Sequence, residues 1–111
     1  MKLSALGSVL GYSAVQDDYQ DRDLRGGYTS DLLSDVMANA AEDSVLITIQ
    51  AHKNAVAVAS MAGIAAIVIC NSRPIPDDMV EAARSEQIAL FVTDKNQFTV
   101  SAEVYAQLEQ G

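Results

Sequence analysis

The chain has 111 residues, of which 50% are hydrophobic, 20% are charged and 5% are aromatic, and it contains no tryptophan. This composition is typical of one globular domain, here residues 1–111, and excludes a disordered chain. The formal net charge of −8 excludes a broad nucleic-acid surface, because phosphate contacts need clustered Lys and Arg. The single cysteine, Cys70, excludes an internal disulfide and a multi-cysteine metal centre within one chain. We therefore expect a cytoplasmic protein without metal or cofactor.

The first thirty residues carry weak structural signals. Residues 2–10 predict a short helix and residues 12–15 a short strand. Glycines interrupt this apolar stretch, which therefore lacks the continuous apolar core of a signal peptide. The run QDDYQDRD at 16–23 is typical of a solvated acidic turn, and residues 24–28 predict a second short strand.

A helix is predicted to follow, capped by Thr29 or Ser30. One stripe of it is apolar and is expected to face the core: Leu32, Leu33, Val36, Met37 and Ala40. Asp31 and Asp35 lie one turn apart on the opposite face. They are either a carboxylate pair for metal or acid–base chemistry, or a solvated helix face. The second interpretation is favoured, because no partner histidine and no second acidic helix accompany them.

From residue 44 onward the sequence contains three strand–loop–helix units. The predicted strands are SVLITIQ at 44–50, AAIVIC at 65–70 and IALFVT at 88–93, and each precedes a short polar loop and a helix. Apolar strands that alternate with helices predict a parallel sheet with right-handed crossovers. The expected fold is therefore a three-layer α/β/α domain with a mostly parallel sheet.

The three helices of these units differ in their patterns. In the second, Pro76 suits the first position and Met79, Val80 and Ala83 are expected to face the sheet. In the third, Asn96 is a plausible cap, and one stripe is expected to face the core: Phe98, Ala102, Tyr105 and Leu108.

The first of the three helices, residues 54–62, has almost no polar face. Residues 54–72 carry no charge, but a membrane span is disfavoured, because an Ala-rich half is followed by Gly63 and a β-branched half. A helix, a glycine cap and a buried strand explain this change better. We expect the helix to be covered by the sheet and by something else, which favours a homodimer.

Ligands of open α/β sheets bind beyond the carboxyl ends of the strands. Polar residues follow each predicted strand there, and the Gly-Gly turn that leads into the helix at Ser30 is expected at the same rim. Backbone N–H groups at the helix starts near Ser30 and Asn54 suit an anion. The alternative is that these loop residues are polar only because they are solvated. The candidate ligand-binding residues are Gly26, Gly27, Ser30, Gln50, His52, Asn54, Asn71, Arg73 and Asp94.

No catalytic constellation is evident in the sequence. His52, the only histidine, lacks a triad, and no G-x-S-x-G, G-x-x-x-x-G-K-[ST] or G-x-G-x-x-G motif occurs. An enzyme that uses His52 as general acid or base, with Asp31 or Asp94 near it, is the less favoured alternative.

The segment GGYTSDLLSDVMANA at 26–40, followed by LITIQAHKNAVAVASMAGIAAIVI at 46–69, resembles the DRTGG domain family. The resemblance extends from about Arg22 to Tyr105. The family's name motif is not contiguous here, because residues 23–25 separate Asp21-Arg22 from Gly26-Gly27. The resemblance implies a fold similar to the N-terminal domain of HPr kinase/phosphorylase, an α/β domain with a largely parallel sheet.

The resemblance also implies expectations about function. Relatives occur beside CBS domains in regulatory pyrophosphatases and at the N-terminus of some long phosphotransacetylases, and small stand-alone members tend to be encoded near iron-only hydrogenase components. No reaction is established for the domain. The resemblance therefore implies a dimeric regulatory or interaction module, with a hydrogenase subunit as one conceivable partner and no catalytic residues.

Overall fold

The computed structural model describes residues 1–110. Its strands are β1 (Ser13–Gln16), β2 (Gly26–Thr29), β3 (Ser44–Thr48), β4 (Ala66–Ile69) and β5 (Ala89–Val92). Its helices are α1 (Ala5–Ser8), α2 (Leu33–Asn39), α3 (Lys53–Ala62), α4 (Asp77–Ser85) and α5 (Gln97–Glu109). Each element that the sequence predicted is present, with ends shifted by a few residues.

The five strands form one sheet in the order β1-β5-β4-β3-β2. Strands β2 to β5 are parallel and lie side by side in chain order, whereas β1 pairs antiparallel with β5. The predicted α/β fold with a mostly parallel sheet is therefore confirmed.

Both faces of the sheet are covered by helices, which explains the continuous apolar runs of the central strands. On one face, Val45 and Ile47 of β3 pack with α5 and with the N-terminal segment around Leu3 and Leu6. On the other face, Leu46 packs with α2, α3 and α4. Because successive strand residues point to opposite faces, β3 and β4 are buried along their whole length.

Helix α3 lies between its two neighbours, with α2 on one side and α4 on the other. It ends at Gly63, which has φ +76° and whose N–H donates to the carbonyl of Ser60. A Cβ at Gly63 would lie 2.8 Å from Cγ of Glu42, so only glycine fits. The outward face of α3 remains uncovered within the described residues, and Met61 is 69% exposed.

Two predicted core stripes are only partly confirmed: Leu33 and Ala40 of the first and Leu108 of the second pack against the core, but other members do not. In α2, Val36 is buried, but Leu32 is 64% and Met37 is 38% exposed. Leu32 precedes the helix, which also lacks the predicted side-chain cap. In α5, the residues buried against the sheet are Val100 and Val104, whereas Phe98 is 84% and Tyr105 is 64% exposed. Both helices contain apolar residues on more than one face, and only the position of the sheet decides which face is buried.

The remaining helix predictions agree with the structure. Met79 and Ala83 of α4 are buried and Val80 is half-buried, while Asn96 caps α5 by accepting a hydrogen bond from the N–H of Thr99 at 2.9 Å. Among the described residues, no helix has both the length and the apolar character that crossing a membrane requires.

Candidate ligand-binding cleft

The connections that leave β4 and β5 diverge to opposite faces of the sheet. The chain after β4 enters α4, which packs beside α3 on the face that also carries α2, whereas the chain after β5 enters α5 on the other face. These two strands are neighbours. Diverging connections between neighbouring parallel strands leave an open crevice beyond their carboxyl ends, and this is where α/β sheets bind ligands.

A cavity of about 540 Å³ occupies this crevice. Its apolar part is formed by Val15, Ile75 and Val92, and its polar part by hydroxyl groups and one pair of opposite charges. The complete lining is Gly11, Ser13, Val15, Ser72, Arg73, Ile75, Val92, Thr93 and Asp94. The volume lies within the roughly 300–1,000 Å³ typical of small-molecule sites.

The turn after β4 forms one wall of the cleft and has an unusual backbone. Asn71 and Ser72 have φ +62° and +50°, a left-handed conformation that costs most residues other than glycine about 1–2 kcal/mol and that asparagine adopts more readily than most. Two hydrogen bonds to the β5–α5 loop hold the turn in place. The N–H of Asn71 donates to the carbonyl of Lys95 at 3.0 Å, and the N–H of Ser72 to that of Thr93 at 2.9 Å. The cleft therefore has fixed walls on both sides.

Arg73 and Asp94 provide the charges of the cleft. Both residues line the cavity and both are exposed. Their charged atoms do not approach within 4.0 Å, and neither residue forms an ion pair with any other residue between 1 and 110. The guanidinium and the carboxylate therefore both remain available to a ligand.

Asp31 organises the other half of the rim, beyond β2 and β3. Its Oδ1 accepts hydrogen bonds from the hydroxyl of Thr48, the N–H of Ile49 and Nε2 of Gln97, each at 2.9 Å. Its carbonyl oxygen accepts one from Nε2 of Gln50 at 2.9 Å. One carboxylate thus connects the ends of two strands with the start of α5, and Gln50 participates in this structural network.

Asp31 and Asp35 have different partners. Asp31 precedes α2, whereas Asp35 lies within it and accepts hydrogen bonds from the Tyr28 hydroxyl at 2.9 Å. That bond holds the pKa of the Asp35 carboxyl below its usual range. The two residues therefore do not form a carboxylate pair. They do not form a wholly solvated helix face either, because Asp31 is hydrogen-bonded to the end of β3.

His52 caps α3. Its Nδ1 accepts a hydrogen bond from the N–H of Asn54 at 3.0 Å, so one of the free N–H donors in the first turn of the helix is already used. Both residues are exposed, and Asn54 lines a separate cavity of about 360 Å³ between α3 and α4. Neither residue lines the β4–β5 cleft.

The remaining predicted site residues divide between the two ends of the sheet. Ser30 lies at the carboxyl end of β2, where its Oγ accepts a hydrogen bond from the N–H of Leu32 at 3.2 Å. The expectation that Gly26 and Gly27 form a turn at this rim is wrong. Both belong to β2 and pair with the first residues of β3, at the amino end of the sheet. There they line a different cavity of about 520 Å³.

The structure therefore brings Arg73 and Asp94 together with residues that the sequence did not indicate. Gly11, Ser13 and Val15 belong to the segment around β1, whose place beside β5 depends on pairing across more than seventy residues. Ser72 directly precedes Arg73, and Thr93 directly precedes Asp94. Their position in the loops after β4 and β5 was the sequence signal that could have added them to the candidate site.

Cys70 is a buried free thiol. Burial, with a smaller contribution from the Asp31 carboxylate, raises its pKa to about 11. Within residues 1–110, no group of three or more His, Cys, Asp or Glu side chains is arranged to hold a metal ion.

No protein-family model and no curated protein sequence matches the chain. The fold is similar to a crystal structure of the CBS and DRTGG domains of the regulatory region of Clostridium perfringens pyrophosphatase, complexed with the activator diadenosine tetraphosphate. The TM-score is 0.70 and the sequence identity 12%, over 90% of this chain and 44% of that one. The chain thus spans less than half of the matched protein. The likeness confirms the DRTGG-like fold that the sequence indicated.

Proposed function

We propose that the protein is a non-enzymatic regulatory module that binds a small ligand with an anionic group in the β4–β5 cleft. The observation that carries this proposal is the position of the cavity. It lies where the connections of two parallel strands diverge, between two walls that hydrogen bonds hold together. Arg73 supplies the charge for the anionic group, with hydroxyl donors from Ser13, Ser72 and Thr93 around it.

The structural neighbour supports a regulatory role. That protein is the regulatory region of an enzyme and was crystallised with an activating dinucleotide. A nucleotide is accordingly one candidate ligand for the present chain, with its phosphate at Arg73.

A non-enzymatic role agrees with the chemistry of the residues present. Nδ1 of His52 is occupied by the N–H of Asn54. The thiol of Cys70 is buried with a raised pKa, which disfavours the nucleophilic thiolate. Arg73 and Asp94 suit recognition, because an arginine does not exchange protons near neutral pH. The alternative, an enzyme dependent on His52, predicts that His52→Gln abolishes turnover and leaves the fold intact.

A thermal-shift and calorimetry screen with nucleotides and small anions tests the proposal. A ligand at 100 times its dissociation constant should stabilise the protein by about 2.7 kcal/mol. Arg73→Gln should weaken binding at least about tenfold, because it removes a charge-assisted contact. Arg84→Gln is the matched control, since Arg84 is exposed on α4 and does not line the cleft. Binding that is insensitive to Arg73→Gln would place the ligand elsewhere.

Self-association through the outer face of α3 forms a second part of the proposal. It is supported by the exposure of Met61 and Ala57 on a helix with little polar surface. Sedimentation velocity at micromolar concentration should show a dimer that Met61→Glu dissociates. Val9→Glu, which changes another exposed apolar residue, should leave the dimer intact. A strict monomer at these concentrations would contradict this part.

We also retain two expectations from the family resemblance and the composition as proposals: a hydrogenase subunit as a protein partner, and a cytoplasmic location. Mixing the purified protein with purified iron-only hydrogenase subunits in a sedimentation experiment tests the first. The second is tested by fractionation of the source cells.

A further inference from the structure

We infer that the β4–β5 cleft takes a zwitterion, and specifically a free α-amino acid with an aliphatic side chain. The inference rests on the proposed function, because it names the ligand class of the same site. Its starting point is that the cleft presents both a guanidinium, from Arg73, and a carboxylate, from Asp94.

The two charges select a ligand that carries both signs. A ligand with an anionic group alone would pair with Arg73 and bring its charge towards the Asp94 carboxylate without compensation. Removing charges from water is favourable only when each finds a partner. An α-carboxylate at Arg73 and an α-ammonium at Asp94 satisfy both side chains at once. The two side chains do not pair with each other within 4.0 Å, so neither charge is already used by the other.

The rest of the lining suits a branched apolar side chain. Val15, Ile75 and Val92 provide aliphatic contact surface, and no aromatic residue lines the cavity. A nucleobase would lack the aromatic stacking partner that commonly holds it, whereas a leucine or valine side chain needs only aliphatic contacts. The hydroxyls of Ser13, Ser72 and Thr93 can bond the second carboxylate oxygen and the remaining ammonium protons.

The charge of the whole protein favours the same class. With a formal net charge of −8, the chain repels polyanions over most of its surface. One arginine compensates a single carboxylate but not a polyphosphate. A zwitterion has no net charge and therefore approaches without this penalty.

Calorimetric titration with four probes tests the inference: L-leucine, 4-methylpentanoate, 3-methylbutan-1-amine and adenosine monophosphate. The second lacks the ammonium group of leucine and the third lacks its carboxylate. We expect L-leucine to bind and each of these two analogues to bind at least about tenfold more weakly, the loss of one charge-assisted contact. Adenosine monophosphate should bind more weakly than leucine.

Two variants assign the contacts. Arg73→Gln should weaken L-leucine and 4-methylpentanoate alike, whereas Asp94→Asn should weaken L-leucine at least about tenfold and should not weaken 4-methylpentanoate, because it removes a like charge beside that carboxylate. Arg73-dependent binding of adenosine monophosphate, without binding of leucine, would overturn the zwitterion and leave the proposed function standing. Leucine binding that both variants leave unchanged would also overturn the inference. If none of the probes, nucleotides or anions binds, both proposals fail.

Discussion

The backbone N–H of Ser72 donates a hydrogen bond to the carbonyl oxygen of Thr93 at 2.9 Å. This bond connects the loops that follow β4 and β5, although these loops lead to helices on opposite faces of the sheet. It joins the two loops directly before Arg73 and Asp94, each of which is the next residue in its loop. A ligand that bridges the two charges would thus bind between positions that are already ordered, which reduces the entropy cost of binding.

The network around Asp31 is expected to be the most sensitive polar site in the fold. Asp31→Ala removes the acceptor of three hydrogen bonds and leaves the hydroxyl of Thr48, a fully buried residue, without its carboxylate partner. Each unsatisfied buried donor costs about 1–3 kcal/mol, so we expect a loss of at least about 2 kcal/mol in urea unfolding. Asp31→Asn keeps an oxygen acceptor and should lose less. Equal stability of both variants would show that the hydrogen bonds are not responsible.

His52 is expected to act on stability through its capping bond. His52→Ala removes the acceptor for the N–H of Asn54 and should cost about 1 kcal/mol in chemical denaturation. His52→Asn supplies a side-chain oxygen in a comparable place and should recover most of that loss. If the alanine variant is as stable as the native protein, the cap does not contribute.

Much of the fold follows from local patterns in the sequence. The β-branched runs of β3, β4 and β5 are each followed by a polar loop and a helix, and that order permits few arrangements other than a parallel sheet. Arg73 and Asp94 were predicted as candidates for the same reason, because they lie in the loops that follow β4 and β5, and both line the cavity. Local pattern and general topology were sufficient in these cases.

Other features depend on contacts between distant segments and could not be predicted. The Phe98–Tyr105 stripe of α5 is as periodic as the buried pair Val100 and Val104, so periodicity alone does not select the core face. Nor does any local signal place β1 beside β5, where Val15 completes the cleft. Gly26 and Gly27 fit both the strand predicted at 24–28 and a Gly-Gly turn, and only their pairing with β3 decides for the strand.

We expect acid to reduce the contribution that Glu103, in α5, makes to the stability of the fold. Glu103 accepts a hydrogen bond from Nζ of Lys95 at 2.7 Å and one from the hydroxyl of Tyr12 at 2.8 Å. The Lys95 contact, and then the Tyr12 bond, lower the pKa of the Glu103 carboxyl from its ordinary 4.5. Because the folded pKa is the lower one, the stabilisation is present above pH 4.5 and is lost as the pH falls through the folded value.

We therefore expect Glu103→Gln to be less stable than the native protein at neutral pH, with the difference shrinking at about pH 3. Urea unfolding at the two pH values measures it. Lys95→Gln, which removes the first cause of the low pKa, should also reduce the dependence on pH. A difference that stays constant from neutral to acid pH would contradict the assignment.

Gly63 should not tolerate a side chain. Gly63→Ala places a Cβ in the left-handed region and 2.8 Å from Cγ of Glu42. The backbone term alone is about 1–2 kcal/mol, and displacement of Glu42 adds to it. Thermal and urea unfolding should both show the loss, and adding Glu42→Ala should recover part of it. A loss below about 0.5 kcal/mol, the usual range of surface substitutions, would contradict the argument.

Gln87 offers the opposite test, because it occupies at the end of α4 the position that Gly63 occupies at the end of α3. It has φ +55°; its N–H donates to the carbonyl of Arg84, and the next N–H, of Ile88, donates to that of Ala83. Gln87→Gly removes a left-handed penalty of about 1–2 kcal/mol at an entropy cost of about 0.5–1 kcal/mol, so urea unfolding should show a net gain. Gln87→Ala keeps the strained backbone and should change stability by less than about 0.5 kcal/mol. If the glycine variant is no more stable than the alanine variant, the left-handed backbone at Gln87 is not strained. The strain inferred at Asn71 and Ser72 beside the cleft would then be unsupported as well.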